Sequence, residues 1–238
     1  SKSLLHYFPP FALAWVRFLI AALVMLPWLR EWRGQVHSVP KHDRWALFGM
    51  SFFGNFLFTI CMLFGVANTS ATAAGIIMSL LPAVIALVSI WVLREHLTRV
   101  GLASIALAVL GVMSLSLYKD SAGQSWLGNA FMVGALLCEA FYVIGAKYLT
   151  TGYSPKQIAV AMNTFGLILT TPLAMFQLPD VAGAQIGWNG WLLMVFYALA
   201  ASVWATGLWF NGLRHVPANR AGVMTVALPL TAAAIGVA

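Results

Sequence analysis

Apolar positions run along this chain in long blocks rather than in narrow stripes. Eight blocks, at roughly 10–29, 45–66, 71–93, 99–118, 127–149, 157–177, 190–213 and 217–238, approach twenty residues each. At a rise of 1.5 Å per residue, such a block crosses a hydrocarbon core of about 30 Å as a helix. Strict apolar–polar alternation, the mark of a barrel strand, is absent from the sequence. A backbone in lipid has to hydrogen-bond to itself, so the blocks predict helices. The loops are short, several of them marked by Pro9-Pro10, Pro40, Pro155 and Pro179, and leave no room for a second, soluble domain. The expected fold class is all-α, a polytopic membrane helix bundle.

Composition and charge sharpen that picture. Of 238 residues, 61% are hydrophobic and 8% charged, against about a quarter charged in an average soluble domain. A soluble core cannot use that much apolar surface without exposing large patches, so the solvent is lipid. The formal charge of +7 would suggest nucleic acid in a soluble chain, but here the basic residues sit in short loops. Alternate loops carry Arg30, Arg33, Lys41, Arg44, Arg94, Arg99, Lys147, Lys156, Arg214 and Arg220, whereas the opposite set carries only Lys2 and Lys119. Such a bias places the first set in the cytoplasm and the chain in the cell (inner) membrane, with no nucleic-acid partner. Trp28, Trp32, Trp45 and Trp91 suit a cytoplasmic aromatic belt, and Trp126, Trp188 and Trp191 the opposite one. Both cysteines, Cys61 and Cys138, lie inside apolar blocks, which argues against a disulfide framework.

The blocks are duplicated. The frame G-x5-A-x2-A-G-x5-L-P is filled by Gly65, Ala71, Ala74, Gly75, Leu81 and Pro82, and again by Gly212, Ala218, Ala221, Gly222, Leu228 and Pro229, at an offset of 147. Thr59 and Thr206 extend it. At an offset of 145, Lys2, Leu4, Pro10, Ala14 and Pro27 meet Lys147, Leu149, Pro155, Ala159 and Pro172. Each copy then holds five spans, an odd number, so the second is expected upside down in the membrane. The first repeat, 1–118, is expected to lack its first helix and the second, 127–238, its last, making eight spans of a ten-helix protein. Duplicated hydrophobic units of this kind point to a transporter.

These residues resemble the EamA-type branch of the drug/metabolite transporter superfamily. The matching features are P-x3-A-x2-RF at Pro10, Ala14, Arg17 and Phe18, the duplicated A-x2-AG-x5-LP frame, Leu93-Arg94-Glu95 at a helix exit, and G-x-A-x6-L-G from Gly101 to Gly111. The resemblance covers the whole chain. It implies two inverted five-helix repeats around a central cavity lined by helices three, four, eight and nine with parts of one, two, six and seven. It is weak for substrate, since members of this pattern export amino acids, other metabolites or drugs.

Candidate residues divide between function and architecture. Glu139 lies about twelve residues into its span, roughly 18 Å deep, where a carboxylate faces a bundle interior or a wet cavity. It is the candidate proton-coupling group; the alternative is a structural acid held by Lys147 or a backbone carbonyl. Tyr142 stands one turn away on the same face. Asn55, Asn163 and Trp204 are polar or amphipathic groups inside spans that could line a pathway for an amphipathic solute. Arg17 could attract a substrate carboxylate or tie helix ends together; Met162 fills its slot in the second copy. Pro82 and Pro229 are candidates for a cavity wall or hinge, and Ser79 precedes Pro82 on a small-residue stripe with Ala71, Gly75 and Ala86. Gly101, Ser104, Ala108 and Gly111 give the span at 99–118 one smooth face for helix packing. Asn68-Thr69-Ser70 matches a glycosylation sequon in a loop too short to leave the membrane surface.

Nucleotide, zinc-protease and serine-hydrolase motifs are absent, the five His make no metal spacing, and the Asp residues are scattered over different loops. No cofactor, metal or enzymatic activity is expected. The leading reading is a secondary transporter that exports small organic solutes such as amino acids, related metabolites or drugs, with proton coupling through Glu139. The alternatives are an exchanger of sugar phosphates or nucleotide sugars, which would want several basic residues in the cavity, and a non-transporting membrane scaffold. The oligomeric state, monomer or dimer, is open.

Overall fold

The computed structural model describes residues 4, 7–33, 39–94, 125–183 and 186–225, with isolated positions between 96 and 110 and at 227. Regular structure among them is helical: α1 (Pro10–Val24), α2 (Leu26–Arg33), α3 (Lys41–Ser51), a π-helical turn (Phe52–Leu57), α4 (Phe58–Asn68), α5 (Ala71–Ser79), α6 (Leu81–Val92), α7 (Trp126–Thr150), α8 (Pro155–Gly183), α9 (Trp188–Ala198), a second π-helical turn (Leu199–Trp204), α10 (Ala205–His215) and α11 (Ala218–Met224). Five runs of the described residues are long and apolar enough to span a bilayer: Lys41–Asn68, Ala73–Val92, Trp126–Thr150, Pro155–Met175 and Trp188–His215. They fall on five of the predicted blocks. The block at 10–29 is divided between the shorter apolar helix α1 and α2. Those at 99–118 and 217–238, and with them Gly101, Ser104, Ala108, Gly111 and Pro229, lie largely or wholly outside the described residues.

The duplication reaches the level of elements. Shifted by 147 residues, α3 falls on α9 from end to end, the first π turn on the second, and α4 on α10; α5 and α11 begin at matching positions, Ala71 and Ala218. Each π turn loosens the regular ladder, and each is clasped in the same way. Thr59 Oγ1 donates to the Asn55 carbonyl at 2.5 Å, and Thr206 Oγ1 donates to the Ser202 carbonyl at 2.6 Å. A hydroxyl four residues on thus supplies a donor that widened helix geometry takes away.

The chain forms two compact units, each drawing helices from both halves of the sequence. Ser1–Phe52 and Leu149–Gly212 make the first. In it α8 packs against α1, α2 and α3, and α9 against α1. Gln177 Oε1 accepts from the Phe11 and Ala12 amides at 2.9 and 3.2 Å, capping a helix that Pro9 cannot cap. Trp15 Nε1 donates to Thr171 Oγ1 at 3.0 Å. Asn163 is buried and donates to Ala159 O at 2.8 Å and to Ser202 O at 3.1 Å, with Met25 Sδ at 3.8 Å. One amide therefore ties α8 to the second π turn. Pro179, which the sequence suggests as a loop marker, lies inside α8 with Pro172. Thr170 and Thr171 donate to the carbonyls of Gly166 and Leu167 at 2.8 and 2.7 Å in the turn before Pro172.

The second unit holds Phe53–Tyr148 and Leu213–Ala238. Here α7 lies along the first π turn and α4 at backbone-limited distance. A Cβ on Gly54 would sit 2.6 Å from the Tyr142 ring, and one on Gly65 would sit 2.6 Å from Met132 Sδ. Phe53 meets Phe141 and Phe64 meets Phe131 at 5.4 and 5.5 Å between ring centres. Small residues let the helices approach where lipid offers no hydrophobic drive to join them. The Asn68–Ser70 stretch is a tight turn: Thr69 Oγ1 donates to Asn129 Oδ1 and Ser70 Oγ caps α5 through the Ala73 amide. Pro82 occupies the first turn of α6, just after the break at Leu80, instead of bending a continuous helix, and Gly222 of α11 packs on Ile85 of α6.

Large apolar side chains face outward. Trp91, Phe176, Trp126 and Trp188 are 88, 83, 80 and 79% exposed, a surface suited to lipid and not to water. Gly65→Leu is expected to push α4 from α7 at a cost of about 1–3 kcal/mol, read as a lowered Tm in detergent. Asn163→Leu is expected to cost a similar amount, about 1–3 kcal/mol, by leaving buried carbonyls short of a donor, while Thr206→Val loses about 1 kcal/mol.

Candidate functional site

The sequence-selected residues separate into the two units. Glu139, Tyr142, Asn55, Ser79 and Pro82 belong to the second, and Arg17, Asn163 and Trp204 to the first.

Glu139 is part-buried at the centre of α7, fourteenth of its 25 residues. Among the described residues it makes no hydrogen bond and no ion pair, and Tyr142 stands one turn along the same helix. Lys147, the partner considered for a structural acid, instead donates from Nζ to the Leu213 and Arg214 carbonyls at 2.9 and 3.4 Å. That contact neutralises the carbonyl-rich end of α10.

Tyr142 is placed by Gly54: its ring occupies the space that a side chain on the π turn would fill. Asn55 follows Gly54 in that turn, and its carbonyl is the one clasped by Thr59. Sequence reasoning selected Glu139, Tyr142 and Asn55 but missed Gly54 and the π turn. The signal was available: Phe-Phe-Gly-Asn interrupts the block shortly before a repeated threonine. Cys61 and Cys138, both buried and free, face each other between α4 and α7.

Ser79 is buried, and its hydroxyl donates to the Ile76 carbonyl at 2.6 Å. In the first unit, Asn163 is committed to helix packing as described. Trp204 ends the second π turn with 59% of its surface exposed. The Arg17 guanidinium lies 4.5 Å from the Phe18 ring centre and 5.9 Å from that of Tyr197, a cation–π setting on α1 and α9. No group of His, Cys, Asp or Glu among the described residues could hold a metal ion.

The sequence profile of the EamA-like transporter family matches residues 1–117 and 126–238. The chain is 33% identical over 236 residues to the transporter YetK of Bacillus subtilis (strain 168), covering 98% of this chain and 72% of that protein. A transporter of Archaeoglobus fulgidus is 25% identical over 243 residues, covering 99% of this chain and 82% of its own length. A crystal structure sharing 20% identity superposes on the whole chain and 82% of its own, with a TM-score of 0.74, and supports the same fold. With its apolar spans, duplicated helices and matched sequence, this multi-pass membrane protein belongs to the EamA-like transporter family.

Proposed function

We propose that this transporter exports small organic solutes, such as amino acids, related metabolites or drugs, and that Glu139 couples their movement to protons. The observation that carries the reading is the isolation of Glu139: mid-helix, part-buried, without hydrogen bond or ion pair among the described residues, one turn from Tyr142. An ionisable group kept at that depth needs a use, since a structural acid would be held by a donor. Asn55 and Tyr142 supply polar and aromatic character for an amphipathic solute. The choice of export and of this solute class rests on the resemblance read from the sequence motifs.

Exchange of sugar phosphates would need free cations. Arg17 stacks on Phe18 and Tyr197, and Lys147 is bound to helix-end carbonyls, so the basic groups nearest the membrane interior are committed elsewhere. The reading involves no cofactor and no enzymatic step. The protein sits in the cell membrane as two inverted repeats, 1–118 and 127–238, with its basic loops cytoplasmic. Pro82 stands just after the break at Leu80, and Pro229 is its counterpart in the sequence repeat; both are read as hinge positions for a rocking motion.

Two measurements test this. Glu139→Gln preserves size and hydrogen bonding but removes titration. It is expected to fold and express normally, lose pH-driven solute accumulation in sealed vesicles, and retain downhill exchange. Unchanged proton-driven accumulation in a folded variant would make Glu139 architecture. A reporter fused after Gly123 is expected on the outer face, and a cytoplasmic signal there would reverse the orientation.

A further inference from the structure

Three basic side chains near the ends of the spans are engaged within the protein. Arg17 stacks on Phe18 and Tyr197, Lys147 donates to helix-end carbonyls, and Lys156 lies 5.2 Å from the Trp28 ring centre. Lys41 and Arg44 differ. Among the described residues neither side chain makes a hydrogen bond or an ion pair. The acid between them is turned to other partners: Asp43 accepts from the Tyr153 hydroxyl at 2.6 Å and meets His42 Nε2 at 2.9 Å.

The two cations share a helix face with aromatic rings. Positions 41, 44, 45 and 48 of α3 follow the spacing of one face, and Lys41, Arg44, Trp45 and Phe48 line an open groove of about 400 Å³. Trp45 is exposed, and its indole N–H has no acceptor among the described residues. Phe48 is fixed from several sides, edge-on to Trp45 and Phe165 at 5.9 and 5.8 Å and stacked on Phe52 at 6.2 Å between ring centres. The groove therefore has a packed aromatic floor below two unpaired cations.

Depth gives this order a meaning. The spanning run Lys41–Asn68 has 28 residues. That is about 42 Å of helix against a hydrocarbon core of about 30 Å. With the excess shared between the two ends, Lys41 and Arg44 stand at the level of lipid phosphates. Trp45 then lies at the hydrocarbon boundary and Phe48 inside it. Charge, amphipathic ring and apolar ring succeed one another as phosphate, ester and acyl chain do in a phospholipid.

Architecture does not ask for the two cations. Positive charge is unfavourable in the first turn of a helix. At the offset of 147 their counterparts are Trp188 and Trp191, with Leu192 and Val195 for Trp45 and Phe48, on a helix that matches α3 from end to end. The same backbone plan is thus built without charge on this face.

We propose that Lys41, Arg44, Trp45 and Phe48 form a binding site for an anionic phospholipid. The Arg44 fork grips the phosphate oxygens with Lys41 as a second charge, Trp45 donates to an ester carbonyl, and an acyl chain lies along Phe48 and Phe52. Charge complementarity selects the ligand, because a zwitterionic headgroup would bring its own cation against Lys41 and Arg44. The inference needs only that the chain spans a membrane. It is independent of the solute, of its direction and of Glu139.

The test measures lipid binding to the full-length protein in detergent by native mass spectrometry, with dioleoyl phosphatidylglycerol and dioleoyl phosphatidylcholine as probes. Phosphatidylglycerol is expected to bind at concentrations where phosphatidylcholine does not. Lys41→Gln with Arg44→Gln is expected to weaken phosphatidylglycerol binding about thirtyfold and to abolish the preference. Arg214→Gln with Arg220→Gln removes the same charge from two other exposed positions and is expected to weaken it less than about threefold. If the double variant does not fold, the single variants decide, each with an expected loss of about fivefold. Glycerol 3-phosphate in large excess is expected not to displace the lipid. Equal binding of the two lipids, unchanged binding in folded Lys41 and Arg44 variants, or an equal loss in the control would each overturn the proposal. Displacement by glycerol 3-phosphate would also overturn it, by assigning the cations to a soluble anion.

Discussion

Lipid gives the backbone nothing to bond to, and the two π turns among the described residues are shaped by that constraint. The two π turns interrupt 28-residue spans, and each is met by a threonine hydroxyl placed four residues beyond the loosened carbonyl. In the second copy Asn163 reinforces the same carbonyl from α8. Helix ends are treated likewise: Gln177 caps α1, Lys147 closes α10, and Ser154 with Gln157 forms a reciprocal cap at the start of α8, at 2.9 and 3.3 Å. Most intramembrane polar side chains are thereby consumed by architecture.

Against that economy Glu139 stands out, because the nearby lysine that could have held it is spent on α10. Its surroundings are built by close approach. Gly54 admits the Tyr142 ring, the π turn displaces Asn55 from a regular helical position, and Cys61 and Cys138 fill the next turn of the same seam.

The duplicated helices also show how one backbone plan accepts two chemistries. Asn55 becomes Ser202, Gly54 becomes Ala201, and Cys61 becomes Leu208, while the threonine clasp and the frame glycines stay. What is held constant is what the backbone requires. What varies is what each helix's own neighbours demand of the side chains.

Much of this was determined by the sequence alone. Block length set the helices, charge asymmetry suggested an orientation, and the offset of 147 anticipated the coincidence of α3, α4 and the first π turn with α9, α10 and the second. Those features are local or periodic, and hydropathy and spacing record them directly. The same cues misplaced Pro179, which lies inside α8 instead of marking a loop. Tertiary structure alone decided the rest. Asn163 ties α8 to the second π turn, Lys147 caps α10 instead of pairing with Glu139, and Tyr142 is seated by a glycine almost ninety residues away. Each of those outcomes depends on which helix lies against which, and single-chain periodicity carries no information about a partner's register.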